Sequence, residues 1–132
     1  MNVNDLPTSD PEGTIPVAEA TRLTANWRAY LQVSKQAFAT HAFLLPIIDF
    51  KNILQYNPDA EGIRAYIGLD DANDPTSAKM ILVPVVNGQD VCYLPKPPGA
   101  SLGDDDDDTS NTYDVSTTCP PECPDKSPLN GG

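Results

Sequence analysis

The sequence predicts an α+β fold in which two N-terminal helices pack on a small antiparallel sheet of three or more strands. Three observations support this prediction: apolar residues recur at helical spacing early in the chain, β-branched runs follow them, and an Asn-Gly pair separates two extended runs. Helices followed by strands are typical of the α+β class. The chain divides into an extended arm (1–15), an α+β body (16–98) and an acidic, proline-rich C-terminal tail (99–132).

The first helix is predicted to begin at Pro16, because the fixed φ of proline suits the first helical turn. An apolar stripe at spacing i, i+4, i+7 and i+8 consists of Leu23, Trp27, Tyr30 and Leu31. We expect this stripe to bury Trp27. Next, an extended piece is predicted at 42–45 and a second helix at 46–55, since Pro46 interrupts the apolar run between them.

Three strands are predicted after the second helix, over 63–69, 80–86 and 90–94. The first alternates large apolar and other side chains, and the second is a β-branched run typical of a central strand. Asn87-Gly88, between the second and third strands, is the strongest hairpin signal in the chain.

These elements carry four motifs, at residues 62–68 (Gly-Ile-Arg-Ala-Tyr-Ile-Gly), 81–86, 87–90 (Asn-Gly-Gln-Asp) and 119–123 (Cys-Pro-Pro-Glu-Cys). In these motifs and their order the chain resembles a group of small uncharacterised proteins of Bacteroidota, over most of its length from the first helix onward. The resemblance implies a shared α+β fold and a shared C-terminal segment. It implies no catalytic residue. This chain departs from the group in its long aspartate run.

The charge distribution argues against two classes of partner. The formal net charge is -11, of which 1–98 carry -4 and 99–132 carry -7. Nucleic acids and anionic membrane surfaces are bound through clusters of Lys and Arg, so neither is an expected partner. No apolar run reaches the roughly 18 to 20 residues that membrane insertion needs.

The N-terminus lacks the basic and apolar regions of a secretory signal. We therefore expect synthesis as a soluble cytoplasmic protein without a signal peptide. Release from the cell would use a route that the sequence does not reveal.

Two acidic segments are candidate Ca²⁺ sites, because Ca²⁺ prefers six to eight oxygen ligands. The first segment alternates oxygen ligands, through Asp70, Asp71, Asn73 and Asp74. The second is the run Asp104, Asp105, Asp106, Asp107 and Asp108. A solvated charge run is the alternative interpretation of the second, since calcium loops usually space their ligands. Ca²⁺ is the only cofactor that the sequence indicates, and none is required.

The remaining candidate functional residues are two cysteines and two residues on one face of a predicted strand. Cys119 and Cys123 could form a local disulfide, pair with another chain, share a metal or stay reduced. Arg64 and Tyr66 share one face of the predicted strand by alternation and form a candidate interaction site.

The sequence contains no catalytic constellation, so we do not expect an enzyme. The leading hypothesis is a self-assembling structural protein, whose partners are copies of itself and whose arm, tail and sheet edge join subunits into a filament or tube. Deletion of 99–132 is then expected to leave a folded body that does not assemble. The alternative is a monomeric binding or adaptor module whose acidic tail docks a basic partner.

Overall fold

A computed structural model describes residues 6–95, 109–114 and 116–131. The chain forms two compact units, one built from 1–36 together with 124–132 and the other from 37–123. This division differs from the predicted arm, body and tail, because the first helix belongs with the end of the chain.

The first unit is built on helix α1 (Val17–Ser34). The helix follows Pro16 as predicted and ends where Lys35 adopts a left-handed conformation (φ 54°) and donates its backbone N–H to the Leu31 carbonyl. A short 3₁₀ helix, Pro128–Asn130, packs against α1. The Arg28 guanidinium donates to the Leu129 carbonyl at 2.6 Å and thereby fixes this contact.

The predicted burial of Trp27 is wrong. Its side chain is 37% exposed and stacks on the Tyr30 ring, with ring centroids 5.7 Å apart. Of the predicted stripe only Leu31 is buried, and the covered face of α1 also contains Arg28, since the 3₁₀ helix contacts that side. An apolar stripe indicates which face a helix tends to bury, but burial also requires a neighbouring element to cover that face.

The described residues of the second unit form one α-helix, a short 3₁₀ helix (Pro75–Ser77) and five strands, which confirms the α+β class. The elements in chain order are β1 (Ala42–Leu44), α2 (Ile47–Tyr56), β2 (Gly62–Leu69), β3 (Ala78–Val86), β4 (Gln89–Asp90) and β5 (Thr117–Cys119). Strands β2, β3 and β4 form one antiparallel sheet in that order, and β1 pairs with β5 in a second antiparallel sheet.

Helix α2 lies within one residue of its predicted bounds and contains a buried carboxylate. Asp49 is 3% exposed, and its Oδ2 has no hydrogen-bond partner among the described residues. At the third helical position, a carboxylate usually accepts the backbone N–H of the residue at the N-cap. Pro46 occupies the N-cap here and has no N–H, so this partner is missing.

The predicted hairpin between β3 and β4 is confirmed, but its second strand is shorter than predicted. Asn87 and Gly88 both have positive φ (52° and 78°), as a type I′ turn requires. Regular pairing stops at Asp90 instead of continuing through 94. The Val91 N–H donates to the Pro84 carbonyl, but Pro84 has no N–H to return a bond, so the ladder ends.

Strand β3 forms the centre of the core. Residues 82–85 are all buried, and because consecutive side chains point to opposite faces of a sheet, β3 is covered on both faces. Its other edge pairs with residues 109–114: Leu82 and Tyr113 exchange two backbone hydrogen bonds of 2.9 and 3.0 Å.

Part of the predicted tail is therefore paired within the second unit, through 109–114 and through Thr117–Cys119. Asn111 is fully buried and anchors 109–114. Its Nδ2 donates to Asn57 Oδ1 (2.8 Å) and to the Val91 carbonyl (2.9 Å), while its Oδ1 accepts from Asn57 Nδ2 and the Tyr113 hydroxyl (both 3.1 Å). Both donors and both lone pairs of the amide are used, so this buried polar group is fully satisfied.

Candidate functional site: the free edge of β2

The most unusual surface of the second unit is the outer edge of β2. Leu82 directs its N–H and C=O toward Tyr113, on the side away from β2, so its cross-strand partner Ala65 makes no ladder hydrogen bond with β3. Because hydrogen-bonded and non-hydrogen-bonded pairs alternate, the residues whose backbone groups face outward are Ile63, Ala65, Ile67 and Leu69. Among the residues that the structure describes, no backbone group pairs with theirs.

Side chains along this edge are apolar and exposed. Seven of the eight residues of β2 are exposed, including Ile67 (63%), Tyr66 (47%) and Leu69 (44%). Natural edge strands are usually protected by bulges, prolines or several charges. Strand β2 pairs with β3 residue for residue over all eight positions, contains no proline and has one charged side chain, Arg64. This edge lacks the usual protection against pairing with another chain.

Arg64 and Tyr66, the two predicted interaction residues, meet at a third side chain that the sequence analysis missed. The Arg64 guanidinium pairs with Asp90 Oδ1, and the Tyr66 hydroxyl donates to Asp90 Oδ2. The cluster spans from β2 to β4 across one face of the sheet. The Asn-Gly turn places Asp90 of β4 opposite Val85 of β3. That Arg64 lies close to this position follows only from the register between β2 and β3.

The hydrogen bonds in this cluster shift two pKa values. The pKa of Tyr66 is raised chiefly because its hydroxyl bonds to the Asp90 carboxylate. The pKa of Arg64 is raised by its hydrogen bond with Tyr66 and by the negative charge of Asp90. The only cation on β2 is thus balanced by a carboxylate of the same chain.

The first candidate calcium segment does not gather its carboxylates around one point. Asp71 Oδ1 accepts the Asn73 N–H at 3.0 Å, and Asp74 Oδ1 accepts the Thr76 N–H at 2.9 Å. The Thr76 hydroxyl also donates to Asp74 Oδ1 at 2.5 Å, and this bond, together with the backbone bond, lowers the pKa of Asp74. Asp70 lies 3.9 Å from Lys79 Nζ. Within the described ranges, no group of three or more His, Cys, Asp or Glu residues is placed to hold a metal ion.

The second candidate segment, Asp104, Asp105, Asp106, Asp107 and Asp108, lies outside the described residues. The residues that flank 95–108 are joined to each other, because the Leu94 N–H donates to the Thr109 carbonyl at 2.8 Å and Tyr93 forms a bridge with Ser110.

The cysteines separate into two classes. Cys119 and Cys123 form a disulfide, with their Cα atoms 4.8 Å apart, which confirms the local pairing among the predicted alternatives. Cys119 is buried and is the last residue of β5, the strand that pairs with β1. The disulfide therefore forms a small covalent ring directly after this strand. Cys92 is an exposed free thiol.

A shallow polar groove of about 330 Å³ lies beside the start of β3. It combines hydroxyl groups with one ammonium and two carboxylates, and its polar lining residues are Asp70, Thr76, Ser77, Lys79, Ser116, Thr117, Thr118 and Glu122. Arg64, of the candidate interaction site, does not line this groove.

No protein-family model, curated protein or solved structure matches this chain. The resemblance to Bacteroidota proteins therefore stays a prediction. In the part of the chain that the structure describes, no helix is both long enough and apolar enough to cross a bilayer.

Proposed function

We propose that this protein is a non-enzymatic structural protein that assembles with copies of itself into a filament or tube. The observation that supports the proposal most directly is the free edge of β2, with four residues whose backbone groups face outward and with exposed apolar side chains, Ile63, Ile67 and Leu69, on one face. Exposed N–H and C=O groups on a strand edge can be paired by a strand from another chain.

Apolar burial would add to the backbone bonds. Exposed side chains such as Ile67 and Leu69 lie beside the outward backbone groups, so an added strand would remove both from water together. The extended arm, 1–15, and the acidic segment of the tail contribute further contacts between subunits in this proposal. Residues 6–15 contain neither helix nor strand, although the Thr14 N–H already donates to the Pro11 carbonyl.

Charge would oppose this assembly. Each copy carries a net charge of -11, so copies repel one another at low ionic strength. Divalent cations would reduce this repulsion, and the aspartate run is the densest anionic segment of the sequence. We therefore expect Ca²⁺ to promote assembly and a chelator to weaken it.

Negative-stain electron microscopy and light scattering over a concentration series, with Ca²⁺ and with a chelator, test the proposal. Ile67→Lys places a charge on the free edge and should raise the concentration at which assembly begins at least tenfold. Val33→Lys is the matched control, because Val33 is also apolar and β-branched, lies on α1 and not on the sheet, is 81% exposed and makes the same change in net charge.

Two results would contradict the proposal. Equal assembly by both variants would remove the edge of β2 from the mechanism. Uniform single copies of the unmodified protein at every concentration, with and without Ca²⁺, would exclude self-assembly and favour the adaptor module, for which the acidic segment would serve as bait for basic partners.

A further inference from the structure

We infer that the strand added to the edge of β2 is β2 of a second copy, antiparallel, with Tyr66 opposite the partner's Tyr66. This inference rests on the proposed self-assembly and specifies its first contact. It predicts one continuous six-stranded sheet across two copies, since each copy contributes β2, β3 and β4.

Hydrogen-bonding geometry selects this register. In an antiparallel ladder, two residues that face each other with outward backbone groups exchange two hydrogen bonds. With Tyr66 on the two-fold axis, Ile63 lies opposite the partner's Leu69 and Ala65 lies opposite the partner's Ile67. All four outward-facing residues of each strand then have a partner. Moving the axis by one residue in either direction leaves one of the four without a partner within β2.

Side-chain size also agrees with this register. Ala65, the smallest side chain on its face, lies opposite the partner's Ile67, and Gly68 lies opposite the partner's Arg64. Tyr66 lies opposite the partner's Tyr66, while its hydroxyl bonds to Asp90 of its own chain. Ala65 and Gly68 thus lie opposite the partner's Ile67 and Arg64, while Ile63 and the partner's Leu69 form an apolar pair.

Charge explains why a copy of the same acidic chain can approach here. Like charges directly opposite each other destabilise strand pairing. The only charged residue of β2 is Arg64, which is already paired with Asp90 of its own chain and would face a glycine of the partner. Within β2, this register therefore places no like charges directly opposite each other.

The two-fold contact is closed, because the same edge is used on both copies. A filament would therefore grow from dimers and would require a second, different contact between them. The dimer is expected at lower protein concentration than the polymer.

Disulfide trapping tests the register. In a Cys92→Ser background, which removes the exposed free thiol, Tyr66→Cys places two thiols in a non-hydrogen-bonded pair. The Cα atoms of such a pair are about 4.5 Å apart, which is within the range that a disulfide bridges. Mild oxidation should convert most of this variant to a covalent dimer on a non-reducing gel.

Arg64→Cys in the same background is the matched control. In the inferred register its Cα lies four residues, or roughly 13 Å, from its counterpart in the partner, so cross-linking should be at least tenfold lower. Adding Gly68→Cys to that control should restore cross-linking, because residue 68 faces the partner's residue 64. A Cβ at Gly68 would approach no atom closer than 3.8 Å, so cysteine fits there.

The outcomes distinguish this inference from the proposed function. Two results would overturn the register and leave self-assembly standing. One is efficient cross-linking of the single variant Arg64→Cys. The other is that no variant cross-links although light scattering still detects polymers. Absence of both cross-linking and polymers would overturn both. The Arg64→Cys/Gly68→Cys variant gives the same test if Tyr66→Cys fails to fold.

Discussion

Strands β2 and β3 are paired residue for residue and are both rich in apolar side chains, yet β3 is core and β2 is surface. Leu82 and Val83 are each 2% exposed, whereas Ile67 is 63% exposed. Position in the sheet separates them, since β3 has a neighbour on both edges and β2 has one on a single edge among the described residues. Composition identifies a strand, but its neighbours determine whether it is buried.

The second neighbour of β3 comes from far along the chain. Residues 109–114 follow the aspartate run, and they pair with β3 through Tyr113 while Asn111 holds them in place. A short polar segment thus makes β3 a central strand.

The largest expected change in unfolding free energy distinguishes the buried strand β3 from the exposed strand β2. Leu82→Ala removes a buried side chain from β3 and should lower the free energy of unfolding by about 2 to 5 kcal/mol. Ile67→Ala, on β2, should change it by less than about 0.5 kcal/mol in the monomer, because its side chain already contacts water. Urea denaturation at low protein concentration measures both. Similar losses for the two variants would show that β2 is buried in solution.

The second prediction concerns residues 109–114, which pair with the second edge of β3. Asn111→Ala should lower the free energy of unfolding by about 3 kcal/mol, because Asn57 and the Val91 carbonyl lose buried partners. Hydrogen exchange at the Leu82 amide should accelerate in the same variant, since that amide bonds to the segment that Asn111 anchors. Asn73→Ala, on an exposed loop, is the control and should have little effect.

These contacts revise the expectation for deletion of 99–132. The deletion removes β5, Asn111 and Tyr113, so we now expect it to destabilise the second unit rather than leave a folded body. Loss of assembly by that truncated chain would then not isolate a role for the tail.

The smallest predicted effect concerns alkaline pH. The pKa of Tyr113, on the covered edge of β3, is raised because burial disfavours the phenolate and because Asp49 and Tyr56 lie nearby. The folded phenol therefore keeps its proton at a pH where the unfolded phenol loses it. Its contribution to stability is complete below pH about 10 and is lost as the pH rises through the raised pKa. Tyr113→Phe should flatten the alkaline decline in unfolding free energy, and an unchanged slope would contradict the assignment.

Local signals in the sequence predicted most of the elements. Proline before each helix, alternation over 63–69 and the Asn87-Gly88 turn act through neighbouring residues, and the structure has α1, α2, β2, β3 and the hairpin where these signals lie. The end of β4 is also a local effect in retrospect, because Pro84 cannot donate a hydrogen bond to the opposite strand.

Long-range contacts were not predictable in the same way. Asn111 is a polar residue in a polar segment, and such residues are usually exposed, so nothing in the sequence marks it as a fully buried amide. For Trp27 the sequence predicted burial and the residue is exposed, because the apolar stripe of α1 does not show which element would cover it.

The candidate site was predicted in part. Alternation alone placed Arg64 and Tyr66 on one face, but Asp90 joins them through a strand register that the sequence does not specify. The predicted calcium ligands at 70–74 do not form a cluster, and the reason is chemical. Asp and Asn are common both in calcium loops and in turns, and Asp71 and Asp74 bind the backbone of their own loop.

The hydrogen bond between Leu94 and Thr109 has a practical consequence for engineering. It holds the two ends of residues 95–108 together, so a foreign peptide inserted between them would leave and re-enter the framework at one place. The entropy of loop closure grows slowly with length, by only about 0.6 kcal/mol for each doubling, so a longer insert would be tolerated. A graft in this connection would therefore lengthen the chain between two residues that are joined to each other.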